Sequence, residues 1–313
     1  MNTHHPSLFK PRRQLGKTGF IATTIGIGDL ADRSIPVETL VETARRAIDA
    51  GLNIIDTAPG YEDGYSEEIV GKAIKGRRDQ MFVISKIDEL ENPVAAQIEA
   101  SLTRLQLEFT DAFVFHNLSS LETFAKLQET GGGFDQLAEC VKAGKTRFRG
   151  ISSHNPEVLL EALQSDLFEI VMFPVGPFVD SRYITEILPL AKAKNVGTIC
   201  FKTFGAGKLL GDTSGYNQPL QIRPRGKLSS GGSDETRAIL PRLSVSECLH
   251  YTMTLDPDVT LLGLSFPNEQ DAAFAAAQNF QQLSAAEMED IRNRALEARK
   301  EKGECWWNPD PKK

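Results

Sequence analysis

Cysteine is scarce in this sequence, and the few that are present lie far apart. Cys140, Cys200, Cys248 and Cys305 include no CxxC pair. Neither a zinc site nor a disulfide framework is therefore indicated, and we expect no bound metal. Free, scattered thiols fit a protein of the reducing cytoplasm, which is the location we expect.

Long apolar runs and an excess of basic charge are also missing. No stretch approaches the roughly 20 apolar residues that cross a bilayer, and the first residues lack the apolar core of a secretory signal. The formal net charge of −7 argues against non-specific nucleic-acid binding. We therefore expect neither a membrane nor a nucleic acid among the partners of this protein.

What the chain does contain is a repeated alternation of apolar, strand-length segments with amphipathic, helix-length segments. Eight such units with short connections predict one α/β domain over residues 1–313, a (β/α)8 TIM barrel. A length of 313 residues suits a single barrel of this kind. The predicted strands are 21–28, 53–58, 81–87, 112–118, 148–153, 169–173, 197–202 and 259–263. The predicted helices are 37–50, 66–74 with Ser66 as its N-cap, 93–107, 134–143, 156–163, 183–194, 245–255 and 269–278.

Four segments lie outside these units. Residues 13–20 predict an N-terminal β-hairpin that closes the bottom of the barrel, and residues 284–302 predict an extra C-terminal helix. The Gly-, Ser- and Arg-rich stretch 209–241 is either a loop that covers a ligand or a flexible surface insertion. The tail 305–311 contains Trp306 and Trp307, which we expect to pack on the barrel or on a partner subunit.

Three successive predicted strands end in ionisable residues. Asp56, Lys86 and His116 stand at or just past these ends, and Tyr61 follows the first of them. Taken singly, each has an ordinary explanation, such as a helix cap, a half-buried aromatic, an exposed strand-end charge or a satisfied core histidine. Because barrels keep their chemistry at the C-terminal ends of the strands, the group as a whole predicts an active site.

The four side chains suit the transfer of a proton to a carbonyl oxygen. An isolated tyrosine, with a pKa near 10, is a poor proton donor at neutral pH. A neighbouring lysine favours the phenolate and lowers that pKa, while a carboxylate keeps the lysine charged and aimed. A histidine can orient the substrate oxygen. A hydride must then arrive from a nicotinamide cofactor, because no side chain can supply one.

At this point the chain resembles the aldo-keto reductase family over nearly its whole length, as a divergent member. The matching motifs are the hairpin 13–20, Asp56-Thr-Ala-Pro-Gly-Tyr61, Ser66-Glu67, Gly71-Lys-Ala73, Ser85-Lys86 and Phe115-His116. The resemblance implies that Tyr61 is the general acid in reduction and the base in oxidation, and that Lys86 depresses its pKa. It further implies that Asp56 pairs with Lys86 and that His116 positions the carbonyl.

The resemblance also implies a set of cofactor-binding residues. Ser152 fits the serine that holds the nicotinamide carboxamide, whereas Ser153 replaces an asparagine and Met172 replaces a glutamine. Phe201 takes the place of the aromatic ring that stacks on the nicotinamide. The segment that follows resembles the loop that wraps the pyrophosphate, with the candidates Lys202, Phe204, Gly205, Gly207, Lys208 and Leu209.

The eighth strand departs most from the family pattern. Gly263 and Ser265 lie at its end, and Glu269 stands near the position of the basic residue that holds the adenosine 2′-phosphate. An acidic side chain there would repel a phosphate but could bond a free 2′-hydroxyl. Either NADH is used, or another basic group binds the phosphate. The candidates are Arg223, Arg225 and Lys227, which alternatively form only a solvated basic loop. Because a preference for NADPH is common in the family, NADPH is the cofactor we expect first, and NADH is the alternative.

The sequence supports two functional hypotheses of different classes. The first is an NAD(P)H-dependent carbonyl reductase that acts on a small-molecule aldehyde or ketone, as a monomer or a small homo-oligomer. The second is a cofactor-binding regulatory or interaction subunit with little turnover, for which the altered carboxamide and adenine contacts leave room. A hydrolase or isomerase is not supported, because the sequence has neither a nucleophile elbow nor a clustered metal-ligand set.

His154 lies near the expected nicotinamide and either touches substrate or cofactor or simply orients its loop.

Overall fold

Eight parallel strands close into a barrel in the described part of the chain. The computed structural model describes residues 7–28, 33, 35–210, 242–300, 305 and 308. The strands neighbour one another in the order β10-β3-β4-β5-β6-β7-β8-β9, and β9 also pairs with β10. Their bounds are β3 Ile25–Gly28, β4 Ile54–Asp56, β5 Phe82–Ile87, β6 Thr110–Phe115, β7 Thr146–Ser152, β8 Ile170–Pro174, β9 Gly197–Phe201 and β10 Val259–Gly263. The predicted (β/α)8 barrel is confirmed.

Helices cover the outside of this barrel. They are α1 Val37–Asp49, α2 Tyr65–Ala73, α3 Val94–Leu105, α4 Leu121–Gln128, α5 Gly133–Lys142, α6 Pro156–Gln164, α7 Leu188–Ala193, α8 Val245–Thr254, α9 Pro267–Gln278 and α10 Ala285–Ala298. A π-helical segment, Tyr183–Ile187, leads directly into α7. No helix in the described ranges is long and apolar enough to cross a membrane.

The strands read as apolar runs because each is buried on both faces. In β6, Ala112 and Val114 belong to a cluster inside the barrel, while Phe113 and Phe115 pack outward against the helices. All six residues of β6 are buried, as are all six of β5. Side chains of one parity therefore point into the barrel, and side chains of the other parity point towards the helix layer.

A short hairpin closes the N-terminal end of the barrel. It consists of β1 Arg13–Gln14 and β2 Ile21–Ala22, which pair antiparallel. Leu15 is fully buried in the cluster inside the barrel, and the Lys17 N–H donates to the carbonyl of Asn195, just before β9 begins. The hairpin was expected. The first predicted strand, 21–28, was wrong in extent, because it is divided between β2 and β3.

One further local prediction was wrong. Ser66 is not an N-cap: α2 begins after Gly64, whose φ of 83° lies in the left-handed region, and Ser66 is buried inside the first turn. The segment between β6 and α5 contains α4, a helix that is not among the eight predicted ones and is capped by the Ser120 hydroxyl. Segment 211–241, Trp306 and Trp307 lie outside the described residues.

Gly71 allows α2 to pack closely against the end of α3. A Cβ at position 71 would overlap the backbone carbonyl of Leu105. We expect Gly71→Ala to lower the free energy of unfolding by about 1–3 kcal/mol, because overpacking outweighs the gain in helix propensity. Urea denaturation measures this change. The neighbouring Lys72→Ala should stay within about 0.5 kcal/mol of the parent protein, and a stabilised Gly71→Ala variant would contradict the argument.

Candidate active site

The predicted site residues lie on the inner face of the barrel at the ends of the strands. Asp56 follows Ile54 with the same parity, and Ile54 belongs to the cluster inside the barrel. Lys86 likewise follows Phe82 and Ile84 in β5, and His116 follows Ala112 and Val114 of β6. Because the period of a strand is two residues, the sequence positions by themselves direct these side chains inward.

Lys86 and Asp56 form a buried ion pair. The Nζ of Lys86 lies 2.7 Å from each carboxylate oxygen of Asp56, and both side chains are only 2% exposed. The ammonium also donates to the carbonyl oxygen of Thr57 at 2.8 Å. A charge buried to this extent needs a partner, and here two oxygens of Asp56 and one backbone oxygen surround the ammonium.

Tyr61 lies beside this pair in the loop between β4 and α2. The Nζ of Lys86 is 4.6 Å from the centroid of the Tyr61 ring, and the His116 ring stands edge-on to Tyr61 at 5.6 Å between centroids. After Tyr61 the chain turns sharply through Glu62 and Asp63, both with φ of 52°. The structure therefore brings together all four predicted catalytic side chains.

A second group of buried residues supports the loop and strand ends around Tyr61. The Ser66 hydroxyl accepts from the Thr57 hydroxyl at 2.8 Å. Glu67, which is fully buried, accepts from the Ser85 hydroxyl at 2.6 Å and from the Arg104 guanidinium at 2.5 Å. Ser66 and Glu67 thus connect α2 to the Thr57 side chain, to β5 and to α3.

The three residues predicted to lie near the nicotinamide carboxamide differ in their burial and hydrogen bonds. Ser152 is buried at the end of β7. The Ser153 hydroxyl accepts from the Asn155 N–H at 3.0 Å and helps to hold the turn before α6. Met172 is 1% exposed and packs in the cluster inside the barrel. Their part in cofactor binding stays a prediction.

The segment after β9 has features that fit a bound dinucleotide. Phe201, at the end of β9, is only half-buried. Lys202, Gly205 and Gly207 have positive φ values, and the Gly207 N–H donates to the Phe204 carbonyl in a tight turn. Phe204, Lys208 and Leu209 are buried beneath this turn.

Thr203 adds an independent observation at this segment. Its side chain is 1% exposed, and its hydroxyl has no hydrogen-bond partner within the described ranges. A buried hydroxyl left without a partner costs free energy, so a polar ligand at this loop would satisfy it. The loop therefore fits the cofactor that the sequence implies.

Glu269 sits at the start of α9 and is fully buried. Its carboxylate accepts the backbone N–H of Ser265 at 3.0 Å and that of Phe266 at 3.3 Å, just beyond Gly263. The acidic side chain thus caps the helix end at which a 2′-phosphate site was expected. Arg223, Arg225 and Lys227, the alternative phosphate ligands, lie outside the part of the chain that the structure describes.

Sequence reasoning did not single out Asp88, Glu67 or Thr203. Asp88 continues the inward parity of Lys86 two residues later, which is a signal that the sequence contained. Glu67 belongs to the Ser66-Glu67 motif but received no role from it, and Thr203 has no pattern that marks it. Burial and partners, which depend on the tertiary structure, distinguish these last two.

The comparisons with known proteins agree with this geometry. The model of the Aldo/keto reductase family matches residues 23–294. The chain belongs to the aldo-keto reductase family. It is 32% identical over 220 residues to the aldo-keto reductase YhdN of Bacillus subtilis (strain 168), a match that covers 63% of this chain and 63% of that relative's length.

Solved structures of other aldo-keto reductases share the fold. The holo form of AKR11C1 from Bacillus halodurans superposes with a TM-score of 0.69 at 24% identity, covering 90% of this chain and 95% of that one. A Klebsiella pneumoniae aldo-keto reductase in complex with NADPH superposes with a TM-score of 0.65 at 21% identity, covering 91% and 95%. The whole barrel is therefore common to these proteins.

His154 lies at the edge of the site, with its Nδ1 2.8 Å from Oδ1 of Asn117 and its ring 5.2 Å from that of Phe201. Burial, together with the charges of Lys202 and His116, lowers the pKa of His154 to about 3. In the unfolded chain a histidine takes up its proton near pH 6.5. Between these values the unfolded state binds more protons, so the stability contribution of this residue falls as the pH falls.

We therefore expect His154→Gln to flatten the decline of unfolding free energy between pH 6 and pH 4, by up to about 1.4 kcal/mol per pH unit. Urea denaturation at several pH values measures the two slopes. Above pH 7 this residue is neutral in both states, so the slopes of the variant and the parent should agree there. Parallel curves down to pH 4 would contradict the lowered pKa.

Proposed function

We propose that this protein reduces an aldehyde or ketone to an alcohol, with Tyr61 as the general acid and NADPH as the hydride donor. The observation that carries the proposal is the position of the buried Lys86 ammonium, 4.6 Å from the centroid of the Tyr61 ring. A positive charge at that place stabilises a phenolate, which makes the hydroxyl a better proton donor near neutral pH. Asp56 pairs with the ammonium and fixes its direction.

Each side chain of the cluster has a separate task in the proposed reaction. The nicotinamide cofactor supplies the hydride when bound. Tyr61 gives its hydroxyl proton to the carbonyl oxygen, and Lys86 stabilises the phenolate that remains. His116 orients the carbonyl so that its oxygen faces Tyr61. A proton transfer of this kind contributes about 10²- to 10⁴-fold to the rate.

The cofactor would be held by residues at the ends of β7 to β10. Phe201 offers its ring for stacking and Ser152 a hydroxyl for the carboxamide. Gly205 and Gly207, which have no side chain, would let the pyrophosphate approach the backbone of the turn closely. NADPH remains the first choice, supported by the fold shared with the NADPH-bound Klebsiella reductase. NADH is the alternative, because Glu269 places a carboxylate at the start of α9.

The substrate class that fits this site is a small carbonyl compound. We further propose that the protein acts in the cytoplasm as a monomer or a small homo-oligomer, without nucleic-acid or membrane partners. In a barrel of this type the loops at the C-terminal face shape the pocket, so individual substrates are selected there and not by the four catalytic side chains.

A paired binding and turnover experiment tests the proposal. Protein fluorescence is titrated with NADPH and with NADH, and turnover is then followed with each cofactor over a panel of aldehydes and ketones. We expect binding of NADPH and reduction of at least one carbonyl. Cofactor binding without turnover of any carbonyl would reject the enzyme and favour a cofactor-binding regulatory subunit.

The role of Tyr61 is tested by removing its hydroxyl. We expect Tyr61→Phe to lower kcat for carbonyl reduction by at least about 100-fold, because the proton donor is lost, while the Kd of the cofactor stays within about twofold, less than 0.5 kcal/mol. The matched control is Tyr65→Phe, which removes a hydroxyl bonded to the Ile35 carbonyl. Full activity of Tyr61→Phe, or an equal loss in both variants, would remove Tyr61 from this role.

A further inference from the structure

Asp88 and His116 stand side by side at the ends of neighbouring strands. β5 and β6 pair in a register that places Ile87 opposite Phe115. The residues that follow these two, Asp88 and His116, therefore also lie opposite each other. The backbone N–H of His116 donates to the Ile87 carbonyl at 2.9 Å. The Oδ1 of Asp88 lies 2.5 Å from the Nδ1 of His116.

The other oxygen of Asp88 reaches the loop that carries Tyr61. Oδ2 accepts the backbone N–H of Gly60, which directly precedes Tyr61, at 2.5 Å. A Cβ at position 60 would lie 2.5 Å from that same oxygen, so a larger residue there would displace the Asp88 carboxylate. One carboxylate thus contacts both the ring proposed to orient the carbonyl and the backbone that positions the proposed proton donor.

The charge of Asp88 decides which nitrogen of His116 carries a proton. Burial raises the pKa of this carboxyl, but the hydrogen bond and charge of His116, the Gly60 N–H and the charge of Lys86 together hold the pKa below its ordinary value. Asp88 is therefore ionised at neutral pH, and a carboxylate only accepts hydrogen bonds. Nδ1 of His116 must then be a donor, which leaves Nε2 as the nitrogen that can face a substrate.

We propose that Asp88 is a positioning residue of this active site, which fixes the proton on Nδ1 of His116 and ties that ring to the loop of Tyr61 through Gly60. The proposal rests on the proposed function for the roles of His116 and Tyr61. The contacts themselves do not depend on it. An exposed ion pair between long, flexible side chains would impose no such geometry, whereas Asp88 is short and bonds a backbone amide.

The distinguishing variant is Asp88→Asn. An asparagine has one acceptor oxygen where the carboxylate has two, so the Gly60 N–H and the Nδ1–H of His116 cannot both be satisfied. Either His116 changes tautomer or the loop of Tyr61 moves. We expect kcat to fall by about 10- to 100-fold, the size of effect that a small misplacement of reacting groups produces, with the Kd of the cofactor unchanged.

The tautomer is measured directly by NMR of protein labelled with ¹⁵N-histidine. The chain has five histidines, and the His116 signals are identified by their loss in His116→Gln. In the parent protein we expect a protonated Nδ1 at His116, and in Asp88→Asn a changed His116 signal. The matched control is Asp256→Asn, which removes a carboxylate bonded to Arg13 and Lys192 at the opposite end of the barrel and should leave kcat and the His116 signals unchanged.

An unprotonated Nδ1 in the parent protein would overturn the proposal, and so would an Asp88→Asn variant with parental kcat and parental His116 signals. If Asp88→Asn does not fold, as judged by its melting curve, the spectrum of the parent protein still decides the tautomer. If the parent reduces no carbonyl, the proposed function fails, but the protonation of His116 is tested all the same.

Discussion

The buried pair of Lys86 and Asp56 is the interaction on which the rest of the site depends. Both side chains are almost completely removed from solvent. Leaving either charge without the other would cost about 3–5 kcal/mol, so β4 and β5 must keep the register that brings the two together. The third hydrogen bond of the ammonium, to the Thr57 carbonyl, connects the start of the Tyr61 loop to the same point. The arrangement that stabilises the top of the barrel is therefore also the one that places a cation beside Tyr61.

Several residues of the family's signature support this pair and are not among the four proposed catalytic side chains. Ser66 and Glu67 bond to Thr57 and Ser85, and Gly71 lets α2 approach the end of α3. Each of these contacts reduces the freedom of the loop between β4 and α2. A tyrosine on a free loop would not keep its distance from the ammonium. The motif thus encodes the support of this site together with the proposed proton donor, Tyr61.

The outcome of the sequence reasoning differed between strands and turns. The barrel strands could be predicted because burial on both faces produces continuous apolar runs, as β5 and β6 show. The start of α2 could not be predicted, since Gly64 adopts a left-handed conformation there. Ser66, two residues later, is of a type that often caps helices, but it lies inside the first turn. The inward direction of Lys86 and His116 followed from the period of two along each strand. The same period directs Asp88 inward, but no sequence pattern reports its contact with the Gly60 backbone.

The sequence by itself determined which residue types stand at the strand ends and which face of the barrel they occupy, because hydrophobic alternation and strand period are local properties of the chain. Only the tertiary structure decided which of these side chains meet. Lys86 is 30 residues from Asp56, and Asp88 is 28 residues from both Gly60 and His116. Such pairs form only when parallel strands align in one register and the barrel closes. The physical reason is that the ion pairs and hydrogen bonds at the site act over a few ångströms in space, whereas the patterns in a sequence extend only along the chain.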